Sequence, residues 1–163
     1  MAASVVPKIM RDGTLTVTSG GSPVTYTVSY EDGDLSFSKD KDARIVIRDR
    51  GNIVGVRKGE SPVLSGSFTV HQRDFTDGSA LTLVDMIDGT GAASGHTSTG
   101  SGAYEEFMVD LKLTIEGSSH GDTADGSVRF SKCVCTWDFA EGQPNKISVS
   151  FECFGGLTFT GQS

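Results

Sequence analysis

Residues 127–159 read SVRFSKCVCTWDFAEGQPNKISVSFECFGGLTF. Apolar side chains alternate with polar ones through Cys133, Cys135, Trp137 and Phe139. They do so again through Ile147, Val149, Phe151 and Cys153, with Leu157 and Phe159 in the same phase. A period of two marks a strand with one face buried and one face polar. Between the two runs, residues 140–146 hold Glu, Gly, Gln, Pro and Asn, which favour a loop. A hairpin centred on Gln143 sets Phe139 opposite Ile147, Trp137 opposite Val149, Cys135 opposite Phe151 and Cys133 opposite Cys153. All eight then share one face, so the register is self-consistent. Val128 and Phe130 fall on the other phase, and a bulge near Ser131 or Lys132 is the simplest repair.

Alternation extends outward from this hairpin. Leu15 and Val17, then Val24, Tyr26, Val28 and Tyr30, flank a Ser-Gly-Gly-Ser-Pro turn and predict an opening hairpin. Leu35 and Phe37 make a short third piece. Phe107, Val109, Leu111, Leu113 and Ile115 give the cleanest period-two run. One helix is expected over residues 79–88, with Leu81, Leu83, Val84 and Ile87 apolar, Asp77 or Ser79 as its N-cap and Gly89 as its C-cap. Such a short helix must pack on a sheet to persist. The expected fold is mainly β, an antiparallel sandwich or barrel with this one flanking helix.

The composition agrees. The chain has 163 residues, a formal charge of −7, 21 glycines and 4 prolines. That length suits a single domain spanning residues 1–163 with a real core. An acidic balance opposes a nucleic-acid surface built on counterion release. No apolar run approaches the roughly 20 residues of a membrane helix, and the start, MAASVVPKIMRDG, lacks a signal-peptide layout. A soluble intracellular product with a flexible N-terminus is the expectation. Three cysteines do not suggest a secreted disulfide scaffold.

Chemistry is sparse. Residues 117–121, GSSHG, match a nucleophile elbow literally, but a turn sequence follows where the elbow needs a helix, so Ser119 reads as a loop residue. The pattern Cys133-x-Cys135 with Cys153 allows a zinc site, a Cys133–Cys153 disulfide or buried thiols, and core packing favours the thiols. Asp32 with Asp34, and Asp122 with Asp125, are candidates for a weak divalent site or for solvated turns; calcium-loop spacing is absent. His71, His96 and His120 are scattered. The Gly/Ser/Thr-rich loop at 89–103 carries glycines at 89, 91 and 95, nearly a dinucleotide fingerprint. It follows a helix and leads into a strand, the reverse of what a phosphate cradle requires. No cofactor, metal or catalytic residue is expected, and the chain does not read as an enzyme.

Residues 44–58, RIVIRDRGNIVGVRK, differ from the rest. Ile45, Val46 and Ile47, then Ile53, Val54 and Val56, put apolar groups on both faces of two strands joined at residues 50–52. Such strands need cover on both sides, from the domain's own core or from a neighbouring subunit. Arg44, Arg48, Arg50, Arg57 and Lys58 concentrate positive charge there, which reads either as a solvated face with local ion pairs or as a patch that meets an acidic patch on another copy. The set Arg44, Ile45, Ile47, Arg48, Arg50, Ile53, Val56, Arg57 and Lys58, together with His96, is the candidate subunit or ring contact.

In the order and style of its segments the chain resembles the tail tube (major tail) proteins of long-tailed bacteriophages. The resemblance rests on the short polar N-terminus, the opening hairpin and RGNIVGVRKGESPVLSGSFTVHQRDF. The helix SALTLVDMID and the closing hairpin DFAEGQPNKISVSFECFGGLTF add to it. It implies a small β-sandwich that forms hexameric rings stacked into a hollow tube. The implied partners are the tape-measure protein inside the tube, terminator and tip proteins at its ends, and DNA in transient passage. It implies a virion protein made in the host bacterial cytoplasm, with no membrane role. Acidity fits a channel that must not trap phosphates. The alternative is a β-sandwich binding module, carbohydrate-binding or a capsid decoration protein, which would want exposed aromatics on one face.

Overall fold

The computed structural model describes residues 13–28, 33–75, 79–117 and 124–161. Nine strands account for most of it. They are β1 (Thr14–Thr18), β2 (Thr25–Val28), β3 (Ser36–Ser38), β4 (Arg44–Asp49), β5 (Asn52–Lys58), β6 (Leu64–His71), β7 (Val109–Ile115), β8 (Gly126–Ala140) and β9 (Lys146–Thr160). Seven form one antiparallel sheet in the order β2-β1-β7-β8-β9-β6-β3, and β4 and β5 form a separate two-stranded sheet. The mainly antiparallel β fold with a short flanking helix is therefore observed. The sheet is rolled and left open, not closed into a barrel, with β2 and β3 at its two edges. Rolling brings Phe37 of β3 edge-on to Phe130 of β8, with ring centroids 5.1 Å apart. At the other end Tyr26 and Val28 share a cleft with Val70 and Ile147.

The β8–β9 register is the one its alternation demands. Phe139 faces Ile147, Trp137 faces Val149, Cys135 faces Phe151 and Cys133 faces Cys153. The bulge falls between Ser131 and Cys133, where Lys132 adopts φ 56°. Asp110 holds it, accepting from the Lys132 backbone N–H at 2.9 Å and from the Arg129 guanidinium at 2.6 Å. The inward faces of β1, β6, β7, β8 and β9 supply the core, with Leu15, Phe68, Leu111, Phe130, Val149 and Phe151 fully buried. Phe159 departs from the expected buried phase and is 64% exposed. Strand β6 stops opposite Cys153, so the last seven residues of β9 pair, among the described residues, with β8 alone.

The helix is shorter than expected. It spans Leu83–Asp88 (α1), and its N-cap is Thr82, not Asp77 or Ser79. The Thr82 hydroxyl accepts the Asp85 N–H at 3.2 Å and lies 2.8 Å from the Phe75 carbonyl. That arrangement leaves Ser79 to Leu81 in the approach to the helix; Asp77 lies outside the described residues. The C-cap is Gly89, in the left-handed region with φ 64°, where an added Cβ would also press on the Phe107 ring at 2.9 Å. Thr82→Ala removes the cap and one partner of the buried Asp85 carboxylate, also 3.0 Å from that hydroxyl. The expected loss is about 1–2 kcal/mol of stability in urea unfolding at unchanged slope.

The Gly/Ser/Thr-rich residues 89–103 lie between α1 and β7 and carry local structure of their own. A 3-10 turn at Gly91–Ala93 buries Ala93. Gly20 N–H bonds the Thr97 carbonyl at 2.7 Å, and Thr99 N–H bonds the Met108 carbonyl at 2.8 Å. The segment is thus stitched to the end of β1 and the approach to β7. Small polar residues let it lie flat there.

Candidate assembly surface

Strands β4 and β5 make the arm, the part of the fold least satisfied by its own chain. They pair with each other and with no strand of the main sheet. The connection is a two-residue turn in which Arg50 has φ 47° and Gly51 has φ 86°. Both central residues with positive φ is the geometry that matches the twist of a tight hairpin. At the root, Ala43 N–H bonds the Glu60 carbonyl at 2.9 Å and Gly59 N–H returns to the Ala43 carbonyl at 2.6 Å. Asp42 accepts from the Ser61 hydroxyl at 2.9 Å and meets Lys58 at 3.4 Å. The serine first, and then the lysine, hold its carboxyl below the usual range.

Directly opposed residues share a face. One face carries Arg44 with Lys58 and Val46 with Val56; the other carries Ile45 with Arg57 and Ile47 with Gly55. A register shift after Ile47 then sets Arg48 against Ile53. Apolar groups do occupy both faces, and the domain's own core covers neither. Ile45 is 55% exposed, Ile53 58%, Val54 61% and Val56 57%. A lone two-stranded ribbon is marginal in water. Covering what remains exposed on its six aliphatic side chains is worth roughly 1 kcal/mol each. The arm thus leaves an aliphatic surface that the described part of its own chain does not cover.

Nine of the ten sequence-derived contact residues, Arg44, Ile45, Ile47, Arg48, Arg50, Ile53, Val56, Arg57 and Lys58, gather on this arm or at its turn. His96 does not. It follows the 3-10 turn with its N–H on the Ala93 carbonyl at 2.9 Å, in the loop beside β1.

Sequence reasoning missed a second surface. Phe75, Trp137 and Phe139 form an aromatic group, with Phe75 5.8 Å from Trp137 and 5.3 Å from Phe139 between centroids. Phe75 is 38% and Phe139 43% exposed. The indole N–H of Trp137 donates to Asp88 at 3.0 Å. Alternation places Trp137 and Phe139 on one face, but Phe75 sits in HQRDFTDG, where no period announces it.

The chemical candidates resolve into structure. Among the described residues all three cysteines are free thiols, with Cys133 and Cys153 buried face to face. Cys133 is pushed well above the ordinary thiol range by its hydrogen bond to Cys153 and by burial. Burial, with the Asp88 charge second, raises Cys135 to about 12. Asp34 accepts the Thr69 N–H at 2.8 Å and Asp125 the Gly117 N–H at 3.1 Å, so both cap the backbone. Among the described residues no group of three or more His, Cys, Asp and Glu is placed so that it could hold a metal ion. Tyr30, Asp32, Ser119, His120 and Asp122 lie outside them, as does the N-terminal segment.

No protein-family model and no curated protein matches the sequence. A chain of the six-fold symmetrised anti-feeding prophage baseplate superposes with a TM-score of 0.57 at 9% identity, covering 99% of this chain and 98% of that one. The fold is shared with chains of contractile injection systems. A chain of the PVC sheath/tube terminator in the extended state gives a TM-score of 0.58 at 12% identity over 98% of this chain and 100% of that one. One from the PVC sheath-tube complex gives 0.55 at 12% over 96% and 93%. The likeness spans nearly the whole of each chain.

Proposed function

We propose that this chain is a structural subunit of a phage-like tail, and within it the tail tube protein. Six copies would close a ring, and rings would stack into a tube around the tape-measure protein. Terminator and tip proteins would bound the tube, which would conduct DNA at ejection. In this reading it is a virion protein made in the host cytoplasm, and it is not an enzyme. The observation that carries it is the arm: an exposed, two-faced apolar hairpin on a fold matched end to end by chains of tail assemblies. An exposed apolar ribbon of this kind marks a surface that takes a partner, and a subunit that waits for its neighbours needs one.

Electron microscopy of the concentrated protein, with light scattering across a dilution series, tests the reading. Six-fold rings or tubes that dissolve on dilution are expected. A chain that stays monomeric at every concentration and binds glycan or capsid would establish the binding module instead.

A further inference from the structure

Resting on that reading, we propose that the arm of one copy docks on the Phe75–Trp137–Phe139 surface of a second copy. The match is chemical on two counts. The arm offers aliphatic side chains framed by Arg44, Arg48, Arg50 and Arg57. The aromatic surface offers the exposed rings of Phe75 and Phe139 beside half-buried Trp137, with the exposed carboxylates of Asp74, Asp88 and Glu141 within two residues of them in sequence or bonded to them. Arg73 and Lys146 are the cations of that neighbourhood, so acid predominates. Guanidinium groups favour aromatic faces and pair with carboxylates through a planar fork, so arginine suits this rim better than lysine.

Charge on the whole chain points to a copy of itself as the partner. Residues 44–58 hold five cations and one anion, a net of +4 in a chain of −7, which leaves −11 on the remainder. Two copies therefore repel except where an arm meets the acidic body. The other exposed aromatics fit less well. Phe37 is already edge-on to Phe130, and the Tyr104 ring, though beside Glu105 and Glu106, already carries the Lys132 ammonium at 4.9 Å. Phe154 and Phe159 share β9 with one carboxylate, Glu152, and the facing part of β8 carries Arg129 and Lys132. Arm and acceptor are different patches, so the contact is head-to-tail, the kind that propagates into closed rings or filaments and not into a symmetric pair.

Photo-crosslinking tests the assignment directly. The probe p-benzoylphenylalanine is placed at Ile53 in a mixture of ordinary and 15N-labelled protein at assembling concentration. Crosslinks between light and heavy chains that join residue 53 to peptides containing Phe75, or Trp137 and Phe139, are expected. Assemblies whose crosslinks land elsewhere, or only within one chain, overturn the acceptor while leaving the tail reading intact. A chain that never assembles overturns both. In a second set of variants, Asp74→Lys with Glu141→Lys is expected to raise the concentration needed for assembly at least tenfold. Arg48→Glu with Arg57→Glu in the same chains should restore it, with circular dichroism unchanged throughout. Unaltered assembly of the lysine variant, or no restoration, counts against the proposal.

Discussion

Replacing Phe151 with alanine is expected to remove about 3–5 kcal/mol of stability, a large part of the roughly 5–15 kcal/mol available to a domain of this kind. Phe151 is 1% exposed at the centre of the rolled sheet. Its ring meets Phe130 at 5.0 Å and Phe68 at 6.4 Å, so it joins β9 to both flanking strands. It also packs beneath Gly66, where a Cβ would collide with the ring. Deleting it opens a cavity that three strands border and none can fill alone. Urea unfolding of the wild type and the variant, read as a shift in midpoint at constant slope, measures the cost. A loss below 1 kcal/mol would mean that the sheet is not closed over this ring.

The arm should respond in the opposite way. Val46→Asp with Val56→Asp places two carboxylates at the middle of one face, at positions 43% and 57% exposed in the single chain. The folded subunit loses little, because those side chains are already wet and pack on no other strand of the main sheet. Assembly loses two apolar contacts and gains two charges that must be desolvated, together worth roughly 3 kcal/mol or more. By the rule of 1.4 kcal/mol per tenfold, the concentration needed for assembly rises at least about a hundredfold. Light scattering should show this while the thermal midpoint of the monomer stays within a few degrees. A variant that assembles like the wild type would remove the arm from the subunit contact.

These two substitutions mark what a sequence can disclose. Phe151 was legible because alternation ties it to Val149 and Cys153, and the loop at Gln143 fixes its opposite number as Cys135. Even the bulge at Ser131 followed from a change of phase. The arm was legible as an anomaly, since apolar groups on both faces break the pattern that buries one. What covers it was not legible, because nothing local encodes a partner. The helix start was misread because Asp77 and Ser79 are good caps in isolation, whereas Thr82 wins by reaching both Asp85 and the Phe75 carbonyl. Phe159 was misread because its exposure depends on where β6 ends, a fact of topology and not of its own strand. The aromatic group needed three dimensions to bring Phe75 to Trp137.

The long hairpin has a mechanical side. Strands β8 and β9 each run 15 residues, about 50 Å of nearly continuous ladder, with the bulge at Lys132 as its one break in register. A force along that axis loads the rungs in shear, so they resist together and none can be peeled first. The fold is thus a stiff stave with a soft tab, and in an assembly joined through the arm, strain between copies would be taken up at the root of the arm before it reached the core.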